Sequence, residues 1–158
     1  EKTKVSKPEN NKVYSFERDF CYFMLSNNNL ILTIKEYLKP ADFDDLTARE
    51  MFRMLLLSSD YNSFDVFLHS IEDENIKEHF FVHLNEARFK INVDEQLEDF
   101  LSFFKLRKLR KKLDLINKNI KLMEQKGEFP KELLSDKNVL VTQIEELKKF
   151  RFKKKFSY

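Results

Sequence analysis

The sequence is poor in the residues that break helices and build tight turns. One glycine and three prolines occur in 158 residues, and tryptophan is absent. Sheets made of many short strands need frequent turns, most of which use glycine, so this composition argues against a β protein. A glycine-rich phosphate-binding loop is excluded for the same reason, because it needs several glycines close together.

Cysteine and long apolar runs are scarce as well. Cys21 is the single cysteine, so the chain cannot form an internal disulfide. No eighteen-residue apolar span and no signal-peptide pattern occur, and we expect a cytoplasmic protein without membrane contact. Residues 1–13 are polar, include Pro8 and begin with glutamate, so we predict that they form a linker in part of a longer protein.

What the chain does contain is apolar residues at helical spacing. Hydrophobic residues make up 42% of it, enough for one good core. We therefore predict an all-α fold, a bundle of about five to six helices with a long helix leading into a C-terminal helical hairpin.

The hairpin prediction starts from residues 94–126, which contain neither glycine nor proline. Their second half has apolar residues alternately three and four apart, the seam of a helix packed lengthwise on another: Leu106, Leu109, Leu113, Ile116, Ile120 and Met123. Gly127 should end this helix and Pro130 should start the next. The apolar face rotates near residues 103–105, so we divide the chain into a bundle at 14–104 and a hairpin at 105–158.

The bundle helices have recognisable starts. Ser15, Asp45, Ser63 and Asp94 are predicted N-caps of the first, third, fourth and long helices, and either Asp73 or Glu74 opens the fifth. The second helix is predicted over residues 30–38, ending before Pro40, and Phe43 in the following loop should insert into the core.

Charge is unevenly distributed although the total is only +2. Residues 41–104 hold five basic and fifteen acidic residues, whereas residues 105–126 hold nine basic and two acidic ones. The basic run over 105–112, which we call the root of the hairpin, suggests an alternative function. The chain would then be a basic helical DNA-binding module, with weak nucleic-acid contact through this root and through the basic tail. We favour a solvated helix that assists partner encounter, because the charges surround nearly the whole helix.

The sequence offers no convincing active site. His79 and His83 are four residues apart and could face one metal ion, but no third ligand stands at diagnostic spacing, and we interpret them as surface or boundary residues. No nucleophile motif occurs. We predict no catalytic, cofactor-binding or metal-binding residues in this chain.

Some apolar residues lie away from the seam, and we predict that they bind a partner. They are Leu115, Leu122, Leu134 and Val141, continued by Phe150 and Phe152 in the tail. A two-helix hairpin buries one face of each arm, so either the bundle or another protein must cover this second surface. We favour another protein, because the heptad phase directs the hairpin away from the bundle.

A family resemblance rests on several of these segments. They are RDFCYFML at 18–25, YLKPADF at 37–43, TAREMF at 47–52, LEDFL at 97–101 and KLRKLRKKL at 105–113, followed by the hairpin through Gly127. Together they resemble the C-terminal domain of bacterial DnaG-type DNA primases over about Tyr14 to Lys149. The N-terminal domain of the replicative helicase is the alternative, but it usually has a Gly-Pro turn after its third helix, and residues 58–63 offer none.

The resemblance implies a function. Such a domain docks the primase on the N-terminal domains of the hexameric replicative helicase and modulates it, coupling RNA primer synthesis to unwinding during DNA replication. It has no polymerase chemistry of its own, and zinc and magnesium are expected only in domains upstream. By itself it should be a monomer or a weak dimer.

Overall fold

The structure is a computed structural model that describes the backbone of residues 8–156 and the side chains of residues 14–149. Within that part of the chain it has seven α-helices and no strand, which confirms the all-α prediction. The helices are α1 Pro8–Ser26, α2 Ile31–Ile34, α3 Leu46–Leu57, α4 Phe64–Ser70, α5 Glu74–Val82, α6 Val93–Gln125 and α7 Lys131–Phe156. None of these helices is long and apolar enough to cross a membrane.

The chain divides into two compact units, of which the first ends at Val93 and the second begins at Asp94. We predicted a boundary after residue 104, where the apolar face of the long helix rotates. The division into units falls at the start of α6, which is continuous from Val93 to Gln125, so all of this helix except its first residue lies in the second unit.

The core of the first unit is built from aromatic rings on α1, on α3 and in the short loop that precedes α3. Phe20, Phe43 and Phe52 are almost completely buried. The Phe43 ring centroid lies 4.7 Å from that of Phe52 and 6.1 Å from that of Phe20. Phe43 therefore inserts into the core as predicted, and its burial fixes the path of the loop before α3.

Polar side chains begin three of the bundle helices at the predicted positions. The Asp45 carboxylate accepts a hydrogen bond from the backbone N–H of Ala48 at 3.2 Å, and Ser63 accepts one from Val66 at 3.1 Å. Asp73 accepts bonds from the backbone N–H groups of the second and third residues after it. Each cap satisfies amide groups that have no partner inside the helix.

Three helices begin or end at residues other than those predicted. The first helix starts at Pro8 rather than Ser15, since proline is tolerated in a first turn, and residues 8–13 are helical instead of linker. The second is a 3₁₀ turn followed by the four-residue α2. The long helix begins at Val93, so Asp94 lies inside its first turn and is not the cap. Asn92 precedes it with φ of 51°, a conformation that asparagine tolerates.

The second unit reverses direction at the glycine. Gly127 has φ of 74°, its N–H donates to the Glu124 carbonyl, and the N–H of Glu128 donates to the Met123 carbonyl, both at 3.0 Å. This pair of bonds is the Schellman arrangement, which ends α6 and turns the chain into α7. Pro130 lies just before α7 and accepts from the Leu134 N–H at 2.9 Å. The predicted helical hairpin is confirmed.

Candidate docking surface

The predicted seam is the covered side of the hairpin. Ile120 on α6 and Leu140 and Ile144 on α7 are buried, and the other predicted seam residues are buried or half-buried. A single helix leaves most of its side-chain surface in water, so we infer that the two arms cover each other along this seam. The remaining circumference of each arm is the region available for a partner.

The structure exposes three of the four predicted docking residues whose side chains it describes. Leu115 is 60% exposed, Leu122 is 48% exposed and Val141 is 38% exposed, whereas Leu134 is half-buried. The predicted contributions of Phe150 and Phe152 lie outside the described side chains. Exposed leucines at two positions of a helix whose other side is covered are a feature of protein-binding surfaces.

Helix handedness separates these residues into two groups. At about 100° per residue, Leu115 and Leu122 lie about 130° from the seam in one rotational sense, while Leu134 and Val141 lie about 80° from it in the other sense. Consider two right-handed helices packed antiparallel along their seams. Residues displaced from each seam in the same rotational sense, viewed along each helix's own direction, lie on the same side of the pair. The four residues therefore lie on two opposite sides of the hairpin and not on one surface.

Val139 was missed from the sequence and belongs with the first group. It is 56% exposed, and it is displaced from the α7 seam in the same sense as Leu115 is from the α6 seam. The signal was present, since position 139 falls outside the stripe formed by Leu140, Ile144 and Leu147. We call the side with Leu115, Leu122 and Val139 the Leu115 side, and the side with Leu134 and Val141 the Val141 side.

The Leu115 side of α6 is basic. Residues three and four positions away are the nearest neighbours on a helix surface. For Leu115 and Leu122 these neighbours are Lys111, Lys112, Lys118, Asn119, Gln125 and Lys126, all of them exposed. The two leucines are therefore surrounded by four lysines and no carboxylate.

The Val141 side has a different character. Its two apolar residues are less exposed than Leu115, and their nearest polar neighbours on α7 are of mixed charge: Lys131, Lys137, Asn138 and Glu145. Of the two sides, the Leu115 side thus has the greater apolar exposure. Its α6 half is basic, whereas its α7 half carries the exposed Asp136 three residues before Val139.

Part of the basic root of the hairpin has an intrahelical role. The Arg107 guanidinium lies 5.2 Å from the ring centroids of both Phe103 and Phe104. At these distances the cation is attracted by the faces of the rings and covers them from water. The basic run therefore includes at least one charge that is engaged within α6.

The two histidines considered as metal ligands take part in a polar cluster of the first unit. His79 Nδ1 lies 3.0 Å from Tyr22 Oη, and the His83 ring stacks on Tyr22 with centroids 3.7 Å apart. His83 also hydrogen-bonds Glu86, which accepts a 2.6 Å bond from Arg88. They are boundary residues, as predicted, and hold α5 against α1.

Burial changes the acid–base properties of this cluster. It raises the pKa of Tyr22 to about 12, and, together with the positive charge of Arg18, it lowers the pKa of His79. Burial opposes ionisation of Glu86, but hydrogen bonds from His83 and Arg88 outweigh it and lower the pKa of that carboxyl group. Among the described residues no three His, Cys, Asp or Glu side chains are grouped to hold a metal ion.

Comparison with known proteins gives no further identification. The chain matches no protein-family model, and searches of curated proteins and of solved structures also gave no match. The resemblance to the primase C-terminal domain therefore stays a hypothesis that rests on the quoted segments.

Proposed function

We propose that this chain is a protein-docking module, and specifically the part of a bacterial DNA primase that binds the N-terminal domains of the hexameric replicative helicase. In this proposal the hairpin supplies the binding surface and the first unit modulates the helicase. Primer synthesis belongs to catalytic domains elsewhere in the parent protein, and the chain itself catalyses no reaction.

The observation that supports docking is the pair of exposed leucines on α6. Leu115 and Leu122 are 60% and 48% exposed, while Ile120 between them on the seam side is buried. They are seven residues apart and so are aligned along one face, separated by about 10 Å at 1.5 Å per residue. Aligned apolar side chains of this kind fit a groove or a second helix, which is a common form of peptide and domain recognition.

The helicase assignment comes from the resemblance and is tested directly. The chain is mixed with an intact hexameric replicative helicase at about ten micromolar, a concentration at which micromolar affinity is detected, and analysed by size-exclusion chromatography with light scattering. We expect the helicase peak to gain mass. The matched control is the same helicase without its N-terminal domains, which should not gain mass. Equal behaviour of the two, or no complex with either, contradicts the proposal.

A second candidate function is nucleic-acid binding, which the net charge of +7 over residues 105–126 favours. A basic surface that neutralises phosphates loses affinity steeply as salt rises, because released counterions drive binding. Fluorescence anisotropy with a labelled single strand and a labelled duplex, repeated over a range of salt concentrations, tests this candidate. Tight, salt-sensitive binding to both oligonucleotides together with no helicase complex would favour it over docking.

A further inference from the structure

We infer that the partner contacts the Leu115 side through an acidic amphipathic helix, one that presents apolar residues to Leu115 and Leu122 and carboxylates to the lysines around them. This inference rests on the proposed docking function and names the side of the hairpin and the chemistry of the partner segment.

The apolar part of the argument concerns spacing. Leu115 and Leu122 are two helical turns apart on the same face of α6. A partner helix lying along α6 meets both of them if its own apolar residues recur at the same three-and-four spacing. An extended strand could reach both leucines, but its side chains alternate between faces every residue and would match a helical stripe poorly.

The charged part of the argument concerns complementarity. Lys112 and Lys118 are each three residues from Leu115, and Lys126 is four residues from Leu122. The carboxylates nearest in sequence are Asp114 and Glu124, and at about 100° per residue they lie about 100° and 160° around the helix from the adjacent leucine. A partner with Asp or Glu beside its apolar stripe gains attraction along this face of α6, whereas a basic partner is repelled there.

A second copy of this chain is the competing occupant, because a two-fold interface brings residue i of one copy against residue j of the other. Asp136, next to Val139, is exposed on the same side as the α6 lysines. The oligomeric state of the free chain, measured in the test below, separates this occupant from an acidic helix of another protein.

Charge reversal tests the inference with a matched control. The variant Lys112→Glu with Lys118→Glu reverses two exposed charges next to Leu115, and Arg110→Glu with Lys121→Glu reverses two exposed charges that point toward the other side of α6. Both variants change the net charge equally, and circular dichroism establishes that both keep the helix content. Binding to the intact helicase is measured by isothermal titration calorimetry at low and high salt.

At about 0.15 M salt, where screening confines charge effects to about 8 Å, we expect the first variant to weaken binding roughly tenfold or more and the second to change it less than about twofold. The salt dependence of the first variant should also become flatter. If the unmodified chain binds and both variants weaken equally, the inference is overturned and docking stands. No binding by the unmodified chain refutes the proposed function itself. Dimerisation of the free chain that Lys112→Glu with Lys118→Glu alters would overturn the choice of partner.

Discussion

Glu17 provides a sharp test of how the first unit is held together. Its side chain is completely buried, and its two carboxylate oxygens accept hydrogen bonds from the backbone N–H groups of Asp44 and Asp45, each at 2.9 Å. The residues it binds lead directly into α3, so a negative charge on α1 lies beside the positive end of that helix. We predict that Glu17→Gln destabilises the first unit, although it changes none of the apolar residues of the core.

The size of the effect follows from the hydrogen bonds. Glutamine keeps one acceptor oxygen but places an NH₂ group against a backbone N–H, so one bond to a charged group is lost and a buried donor is left without an acceptor. A bond to a charged group contributes about 1.5–3 kcal/mol and an unsatisfied buried group costs about 1–3 kcal/mol, which gives a loss of roughly 2–4 kcal/mol after allowing for their overlap. Glu36→Gln, an exposed change on the same unit, should cost less than about 0.5 kcal/mol.

The assay is guanidinium unfolding followed by tyrosine fluorescence. The chain has no tryptophan, and four of its five tyrosines lie before residue 62, so the signal reports mainly on the first unit. A Glu17→Gln midpoint that coincides with that of Glu36→Gln would refute the reasoning, because it would mean that these two bonds add nothing net to stability.

Three further changes probe other parts of the fold. Phe43→Ala should cost about 3–5 kcal/mol of first-unit stability in the same assay, because it empties a buried aromatic site; a loss below 1 kcal/mol, about that of an average substitution, would contradict the packing described. Gly127→Ala should destabilise the hairpin by about 1–2 kcal/mol. The cost comes from the positive φ alone, because an added Cβ meets no atom within 4 Å, and Gly127→Asn should therefore cost less. Equal helix melting curves for the two variants would argue against this. The pKa of His79 is lowered in the folded state from its usual 6.5, so its contribution to stability is present above that value and is lost as pH falls through the folded pKa. His79→Gln should therefore lose less stability on acidification than the unmodified chain, and equal losses in the two proteins would contradict this.

Much of the fold could be predicted from local signals, because these signals act over a few residues. Asp45, Ser63 and Asp73 are caps whose side chains accept hydrogen bonds from amides two or three positions later. Position 127 is glycine, the residue type that enters the left-handed region most readily. The seam was equally readable from spacing. The start of α1 could not be predicted from spacing. Nothing between Pro8 and Ser15 forbids a helix, and only packing against the rest of the structure decides whether one forms.

The exposure of the docking residues required three-dimensional information. The sequence identifies Leu115, Leu122, Leu134 and Val141 as lying off the seam, and the predicted hairpin with the right-handedness of both helices is enough to assign them to opposite sides. The structure adds that Leu115 is the most exposed of the four and that Leu134 is half-buried. The stacking of His83 on Tyr22 joins residues sixty-one positions apart, and no sequence pattern predicts such a contact.

The most direct measurement of the central claim compares the two sides of the hairpin. Leu115→Glu with Leu122→Glu and Leu134→Glu with Val141→Glu place the same two charges on opposite sides, and both are titrated into the intact helicase by calorimetry after circular dichroism has established equal helix content. We predict that the first pair weakens binding by at least about a hundredfold, since buried carboxylates at an apolar contact are costly, and that the second pair keeps most of the affinity. Full-strength binding by the first pair, or its loss only in the second, would contradict the assignment of the docking surface to the Leu115 side.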